Sequence, residues 1–303
     1  MSAGVVFQQM VVIFLIVLVG FVVHKTGIVQ EGASKSLSAL VVNVCSPAVI
    51  IQSALSRDDS ITYQNMILAL VAGLVVYAIL FLSSVLIPKI LHVEEKWKNH
   101  YALMSLFGNN AFIGIPVVSA VLGTNALFYV SIMIVYFNIF FYTYGLVLCD
   151  GNAKKFSFKN FINVGNISIL IMLIVFVFNL RLPVMVSDAL THMANATTFL
   201  ALLVVGINLA QRKLLSIFTN PKLYVFVLLR FILVPIGTSF ILRLFVKDAD
   251  VYGVMVLMTA VPVANLPLMR MEEIGGDGEL LSQGVIFSTV CALATIPIVT
   301  LFV

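Results

Sequence analysis

Charge is what this sequence has least of. Asp, Glu, Lys and Arg make up only 10% of its 303 residues, against about a quarter in soluble domains. That is too little polar surface to cover a water-soluble globule of this length. With 61% hydrophobic residues and a mean hydropathy of +1.13, the chain reads as a polytopic membrane protein. Acid is also missing at depth, since no Asp or Glu falls in the central part of any apolar segment. Proton-coupled carriers often use a buried carboxylate relay, and its lack argues against one here. A pocket without internal acid is neutral to positive, which favours an anionic over a cationic substrate. The same lack excludes intramembrane hydrolases and group transferases, which need paired acids, a nucleophile–base pair or a metal set. The paired Asp58-Asp59 stands in a short loop beside Arg57 and reads as solvated charge. No enzyme activity and no cofactor are expected.

Cysteine is scarce too. Cys45, Cys149 and Cys291 are widely spaced and lie in or beside apolar segments, so they fit neither a metal site nor a disulfide framework. They read as small buried hydrophobes. His192 is the one histidine near the membrane placed to titrate close to neutral pH, and it reads as a helix-end polar residue. The net charge of +4 calls for no nucleic-acid partner, because it is accounted for by lysines retained on one set of loops. The first apolar segment, Val5 to Val23, has no basic residue ahead of it and no small-residue cleavage site behind it. It reads as a retained helix rather than a signal peptide.

What is present is a series of ten apolar segments: about 5–23, 37–55, 62–87, 101–122, 126–148, 161–180, 189–210, 222–245, 251–269 and 280–302. The third is expected to stop at Pro88, a charged loop to fill His92–His100, and a short amphipathic stretch near Val184–Asp188 to precede the seventh. Most come close to the roughly 20 residues that cross a ~30 Å hydrocarbon core. Two of them are interrupted. The fourth contains Gly108-Asn109-Asn110-Ala111-Phe112-Ile113-Gly114-Ile115-Pro116, and the ninth contains Pro262-Val263-Ala264-Asn265-Leu266-Pro267. Glycine weakens a helix and proline removes a backbone donor. In hydrocarbon the freed groups must find partners, so such a break survives only in a protein interior or beside a polar cavity. Asn109 and Pro262 lie 153 residues apart, as do Leu37 and Leu190, and Gly123 and Gly276. A common offset indicates an internal duplication, with residues 1–150 and 161–303 as the two units and 151–160 as a polar cytoplasmic linker. Five spans per unit force the copies into opposite orientations, the inverted-repeat plan of many secondary transporters. The expected fold is therefore all-α, with ten transmembrane helices in two inverted five-helix repeats and helices 4 and 9 broken. With the N-terminus outside, twelve Lys and Arg fall on inner loops and four on outer ones, which puts both termini outside a cytoplasmic membrane.

The nine-residue run from Gly108 to Pro116, with Gly123 seven residues on, resembles the fourth helix of the auxin efflux carrier family. So do Val261-Pro262-Val263-Ala264-Asn265, Gly275-Gly276-Asp277, Leu280-Leu281-Ser282, Phe287-Ser288-Thr289, Thr295-Ile296-Pro297 and Gly206-Ile207-Asn208-Leu209-Ala210. The short inner loop is similar to that of compact bacterial members linked to malate or malonate. The resemblance implies a carrier whose helices 4 and 9 cross at their breaks. It also implies a homodimerising scaffold of helices 1, 2, 6 and 7, and six remaining helices that move as an elevator. Two places depart from the family pattern: Phe199 stands where a proline partner to Pro47 is expected, and Arg270-Met271-Glu272-Glu273-Ile274 is unusually charged.

At such a crossing, half-helix N-termini would present unpaired N–H groups and the positive end of the helix dipole to an anion. Gly108, Asn109, Asn110, Pro262 and Asn265 are the candidate substrate-binding residues there, with Pro262 and Pro267 chiefly making the break. Asn109, Asn110 and Asn265 carry amides that either donate to a carboxylate or satisfy backbone freed by the break. Asn43 and Ser46, beside Pro47, would complete the pocket from the facing helix or make an interhelical bond. Arg230, the one basic residue deep in a span, would balance a substrate carboxylate or snorkel. Asn138, Asn195 and Asn208 read as packing polars. The function expected is a carrier of small organic anions, as a uniporter or with a proton riding on the acid. A channel or sensor on the same scaffold, or a sodium-coupled symporter, remains the alternative.

Overall fold

Proline decides where the helices of this chain loosen. In the computed structural model, residues 3–30, 32–55, 61–151, 162–211 and 220–302 are described. They form an all-α protein of twelve helices among the described residues: α1 (Ala3–Lys25), α2 (Ala33–Leu55), α3 (Tyr63–Ile90), α4 (Glu95–Leu106), α5 (Asn110–Leu122), α6 (Leu127–Asp150), α7 (Val164–Val177), α8 (Val184–Ala210), α9 (Pro221–Arg243), α10 (Ala249–Ala260), α11 (Asn265–Glu273) and α12 (Glu279–Thr300). One π-type turn interrupts each of α2, α5, α6 and α9. In three of them a proline follows the turn two residues later: Cys45 then Pro47, Gly114 then Pro116, Leu233 then Pro235. A proline ring clashes with the carbonyl four residues back and cannot donate to it. Widening that turn moves the carbonyl aside and lets the helix continue.

Seven helices, α1, α2, α3, α6, α8, α9 and α12, are long and apolar enough to cross a bilayer, so the chain is a multi-pass membrane protein. Their large outward side chains, among them Leu15, Leu18, Ile67, Leu74 and Leu228, are exposed as lipid contact requires. Side chains cap the starts of several helices. Thr62 accepts from the Asn65 N–H, Asn163 from Asn166, Asn220 from Lys222 and Asp248 from Val251.

Three boundaries differ from those expected. The charged run beginning at Glu95 is the first turns of α4, carried by a Glu95–Lys98 pair one turn apart rather than lying in a loop. α3 passes through Pro88 to Ile90, because a proline so near the C-terminus opposes few remaining bonds. α8 is continuous from Val184, with no separate amphipathic stretch ahead of it. The linker beyond Gly151, the Arg57-Asp58-Asp59 loop, and Arg212 and Lys213 lie outside the described residues.

Helices α1, α2, α7 and α8 pack on one another, α1 against α8 and α2 against both α7 and α8. The α1–α8 contact is a backbone contact. A Cβ on Gly206 would lie 2.0 Å from the Val17 carbonyl oxygen, and one on Gly20 would lie 2.2 Å from that of Leu203. Only glycine at both positions allows that approach, the small-residue packing typical of membrane helices. We predict that Gly206→Leu costs about 1–3 kcal/mol or more through overpacking, read as a lower melting temperature in detergent. Gly237→Ala, where a Cβ meets open space, is the control. Equal melting of both variants and the parent would refute the close approach.

Candidate functional site

Between α4 and α5 the chain leaves the helix at Phe107–Asn109, and between α10 and α11 it does so at Val261–Ala264. The two extended pieces meet. Gly108 and Val263 form an antiparallel bridge, the Asn109 N–H donates to the Pro262 carbonyl at 2.7 Å, and the Ala264 N–H donates to the Phe107 carbonyl at 3.0 Å. Each break thus satisfies the other. Val263, the middle residue, donates its N–H to Ser288 Oγ of α12 at 3.0 Å. Gly108 has no room for a side chain, since a Cβ there would sit 2.8 Å from Val261 Cγ2. One break also caps its own helix: Asn109 Oδ1 accepts from the Phe112 N–H at 3.2 Å at the start of α5.

At the C-terminal ends of α4 and α10, just ahead of both breaks, sits Arg230, which is 0% exposed. The π-turn of α9 carries it. Its Nε donates to the Ser105 carbonyl in the last turn of α4, and its Nη1 donates to the Thr259 carbonyl in the last turn of α10 at 2.6 Å. These carbonyls are among the orphan acceptors that every helix end leaves. Ser105 and Thr259 turn their own hydroxyls back to Tyr101 and Val256 carbonyls, so the guanidinium hydrogen-bonds to backbone, while its carbon lies 4.9 Å from the centre of the Phe231 ring.

At the N-terminal ends of α5 and α11, just past both breaks, lies a cavity of about 920 Å³. Asn109 and Asn265 line its deep end, together with Thr289 and Ser282 of α12. Phe112, Phe141, Tyr142, Leu146, Val205 and Leu266 supply apolar wall, and the exposed Gly32, Lys35, Gln211, Glu272 and Glu273 stand at its mouth. The cavity lies between the α2–α8 pair on one side and α5, α6, α11 and α12 on the other. The side chains of Asn109 Nδ2 and of Asn265 have no protein hydrogen-bond partner among the described residues, leaving amide donors for a ligand. At the start of α11, Asn265 and Leu266 precede Pro267, so their N–H groups fall among the helix's orphan donors.

Arg270, flagged as unusual, also lines this cavity. It forms a two-pronged ion pair with Asp150 at 2.7 and 3.1 Å and another with Glu273 at 3.0 Å, tying α11 to the end of α6. Its charge is therefore already answered within the protein.

The structure brings Gly108, Asn109, Pro262 and Asn265 together, and Asn110 stands directly behind them. Asn110 is buried, with Nδ2 donating to Tyr77 Oη at a long 3.5 Å, and does not line the cavity. The other three candidates lie away from it. Asn43 is exposed on the outer face of α2, and its amide donates to the Ala39 carbonyl at 2.9 Å, because the π-turn opens that stretch of helix. Ser46 is buried, its hydroxyl has no partner among the described residues, and it lies outside the cavity wall. Arg230 binds helix ends and not the cavity. Among the packing polars, Asn138 donates to Asn166 of α7, and Asn208 accepts from Ser34 and lines the cavity; Asn195 is exposed, as is His192. Sequence reasoning missed Ser288 and Thr289, although adjacent hydroxyls inside an apolar segment are a signal for such a role.

Compared with known proteins, residues 5–164 and 153–300 match a family described as membrane transport protein. No curated protein matches the chain. The Ser288 contact yields its own prediction. Ser288→Ala leaves the buried Val263 N–H without an acceptor, at a cost of about 1–3 kcal/mol. Faster hydrogen exchange confined to residues 261–264 is expected, and unchanged exchange there would remove Ser288 from the crossing.

Proposed function

The chain belongs to the membrane transport protein family, and on that premise we propose that it is a secondary carrier of small organic anions, carboxylates above all. On this reading α4 with α5, and α10 with α11, each make one broken span, and α7 is the tenth. Residues 1–150 and 161–303 are the two inverted five-helix repeats, joined by the 151–160 linker. The basic loops face the cytoplasm, both termini face out, and the cavity opens inward. α1, α2, α7 and α8 serve as a homodimeric scaffold against which the other helices move, elevator fashion.

The observation that carries the reading is the pairing of two helix breaks at the deep end of a cavity lined by Asn109 and Asn265. A carboxylate seated there would accept from the two side-chain amides and from the N–H groups that open α11, in the field of two helix N-termini. The aromatic and aliphatic wall suits the carbon body of the acid. A proton, where one is co-transported, would ride on the substrate, since Asp and Glu occur only near the cavity mouth.

The test is uptake by proteoliposomes. Asn265→Ala removes a donor to a charged group, worth about 1.5–3 kcal/mol, so an increase in KM of about tenfold or more is expected. Asn109→Asp keeps the cap on α5 but sets a negative charge at the site, so it should impair uptake more than Asn109→Ala while melting at a higher temperature. Normal saturation curves for all three variants would remove the site. Counterflow would separate a carrier from a channel.

A further inference from the structure

The arginine that the binding geometry leaves aside has a role of its own. We propose that Arg230 is a positioning residue that sets the sign of the electric field at the crossing by neutralising the C-terminal ends of α4 and α10. This proposal rests on the reading of the crossing as an anion site.

Four helix ends converge there, two N-terminal and two C-terminal. Each carries about half an elementary charge, positive at an N-terminus and negative at a C-terminus. Left alone, the four ends cancel and the crossing offers an anion little attraction. Arg230 changes the sum. Its guanidinium bonds one last-turn carbonyl of α4 and one of α10, and so places one positive charge against about one negative charge from the two C-termini. What remains is about one positive charge at the N-termini of α5 and α11, the complement of a single carboxylate.

Three further observations favour this role over a purely mechanical one. Among the described residues Arg230 has no carboxylate partner, so the helix ends are its counter-charge. An uncompensated buried cation costs several kcal/mol, more than a neutral side chain would need to spend on two hydrogen bonds. Its Nη2 is buried with no partner among the described residues, so the site as described does not use the full hydrogen-bonding capacity of the fork. Finally, Tyr77 lies 153 residues before Arg230, the same offset that relates the two breaks. Tyr77 is equally buried and faces Asn110 across the same crossing. The first repeat thus presents a phenol where the second presents a cation, so the charge is not required for the architecture of the repeat.

A thiol at the site reads the field without any ligand. In a chain with Cys45, Cys149 and Cys291 replaced by serine, Asn265→Cys puts a single thiol at the start of α11, facing the cavity. The pH midpoint of its alkylation by a small maleimide reports how strongly the site favours an anion, since the thiolate is the reacting form. With Arg230 intact the midpoint falls below that of an ordinary thiol. Arg230→Gln, which keeps a donor but no charge, raises it by about one pH unit, the scale of a unit charge acting over roughly 10 Å at intermediate dielectric. Arg230→Lys, which keeps the charge and loses the fork, leaves the midpoint low. A midpoint unmoved by Arg230→Gln, or raised as much by Arg230→Lys, overturns the proposal. Should the glutamine variant fail to fold, Arg230→Met supplies the uncharged comparison, and a midpoint it leaves unmoved overturns the proposal equally. Because no substrate is used, a failure here is distinct from a failure of carboxylate uptake.

Discussion

Backbone hydrogen bonding inside hydrocarbon is the constraint on which this structure turns. On the proposed reading two spans are broken at depth, and the backbone groups released there must be met by protein or by a ligand. The solution is reciprocal. The segment at Phe107–Asn109 and the segment at Pro262–Ala264 exchange two backbone bonds, as two short strands would. Ser288 meets the N–H between them and Asn109 caps the helix that follows. Neither break could exist without the other, so α4, α5, α10 and α11 form one unit. The absence of a side chain at Gly108 follows from the same demand for close approach.

Satisfying the hydrogen bonds does not settle the charge. Helix ends carry partial charges that water would screen and hydrocarbon does not. The crossing separates them: the C-terminal ends are covered by Arg230, and the N-terminal side opens on the cavity. A lone arginine in a membrane span is ordinarily expensive. Here its two carbonyl partners and the converging helix ends offset much of that cost, which explains why no acid was needed nearby.

Much of this arrangement could be read from residue order. Gly, Asn and Pro inside apolar segments marked both breaks, whereas the widened turns ahead of Pro47 and Pro235 were seen only in the structure. The multi-pass class followed from scarcity of charge. Other features depend on what lies across the fold. Arg230 could be seen to be deep, but its partners are carbonyls 125 and 29 residues away, which have no side-chain signature. Asn43 has the right neighbours in sequence, yet the structure turns it to the outer face of α2, where its own helix satisfies it. Arg270 looked anomalous because Asp150, which answers it, belongs to another helix. The misses at Arg230 and Arg270 are tertiary partners that periodicity cannot reveal, and the miss at Asn43 is a helix face turned away from the cavity.

The same balance of charge bears on what the cavity can hold. Its mouth carries Lys35, Arg270, Glu272 and Glu273, and Arg270 is already bound to Asp150 and Glu273. Charges at an exposed mouth act over only about 8 Å at physiological salt, so they contribute little to what is held at depth. At depth the wall is apolar apart from amides and hydroxyls, and the helix N-termini together supply about one positive charge. A second ionised carboxylate on the same guest would have to shed its water against Phe112, Phe141 and Leu266 with no cation to receive it, a cost of several kcal/mol. On the proposed reading, a dicarboxylic acid would therefore enter with one group protonated. Proton coupling would then be a property of the guest, imposed by the single charge that the crossing can answer.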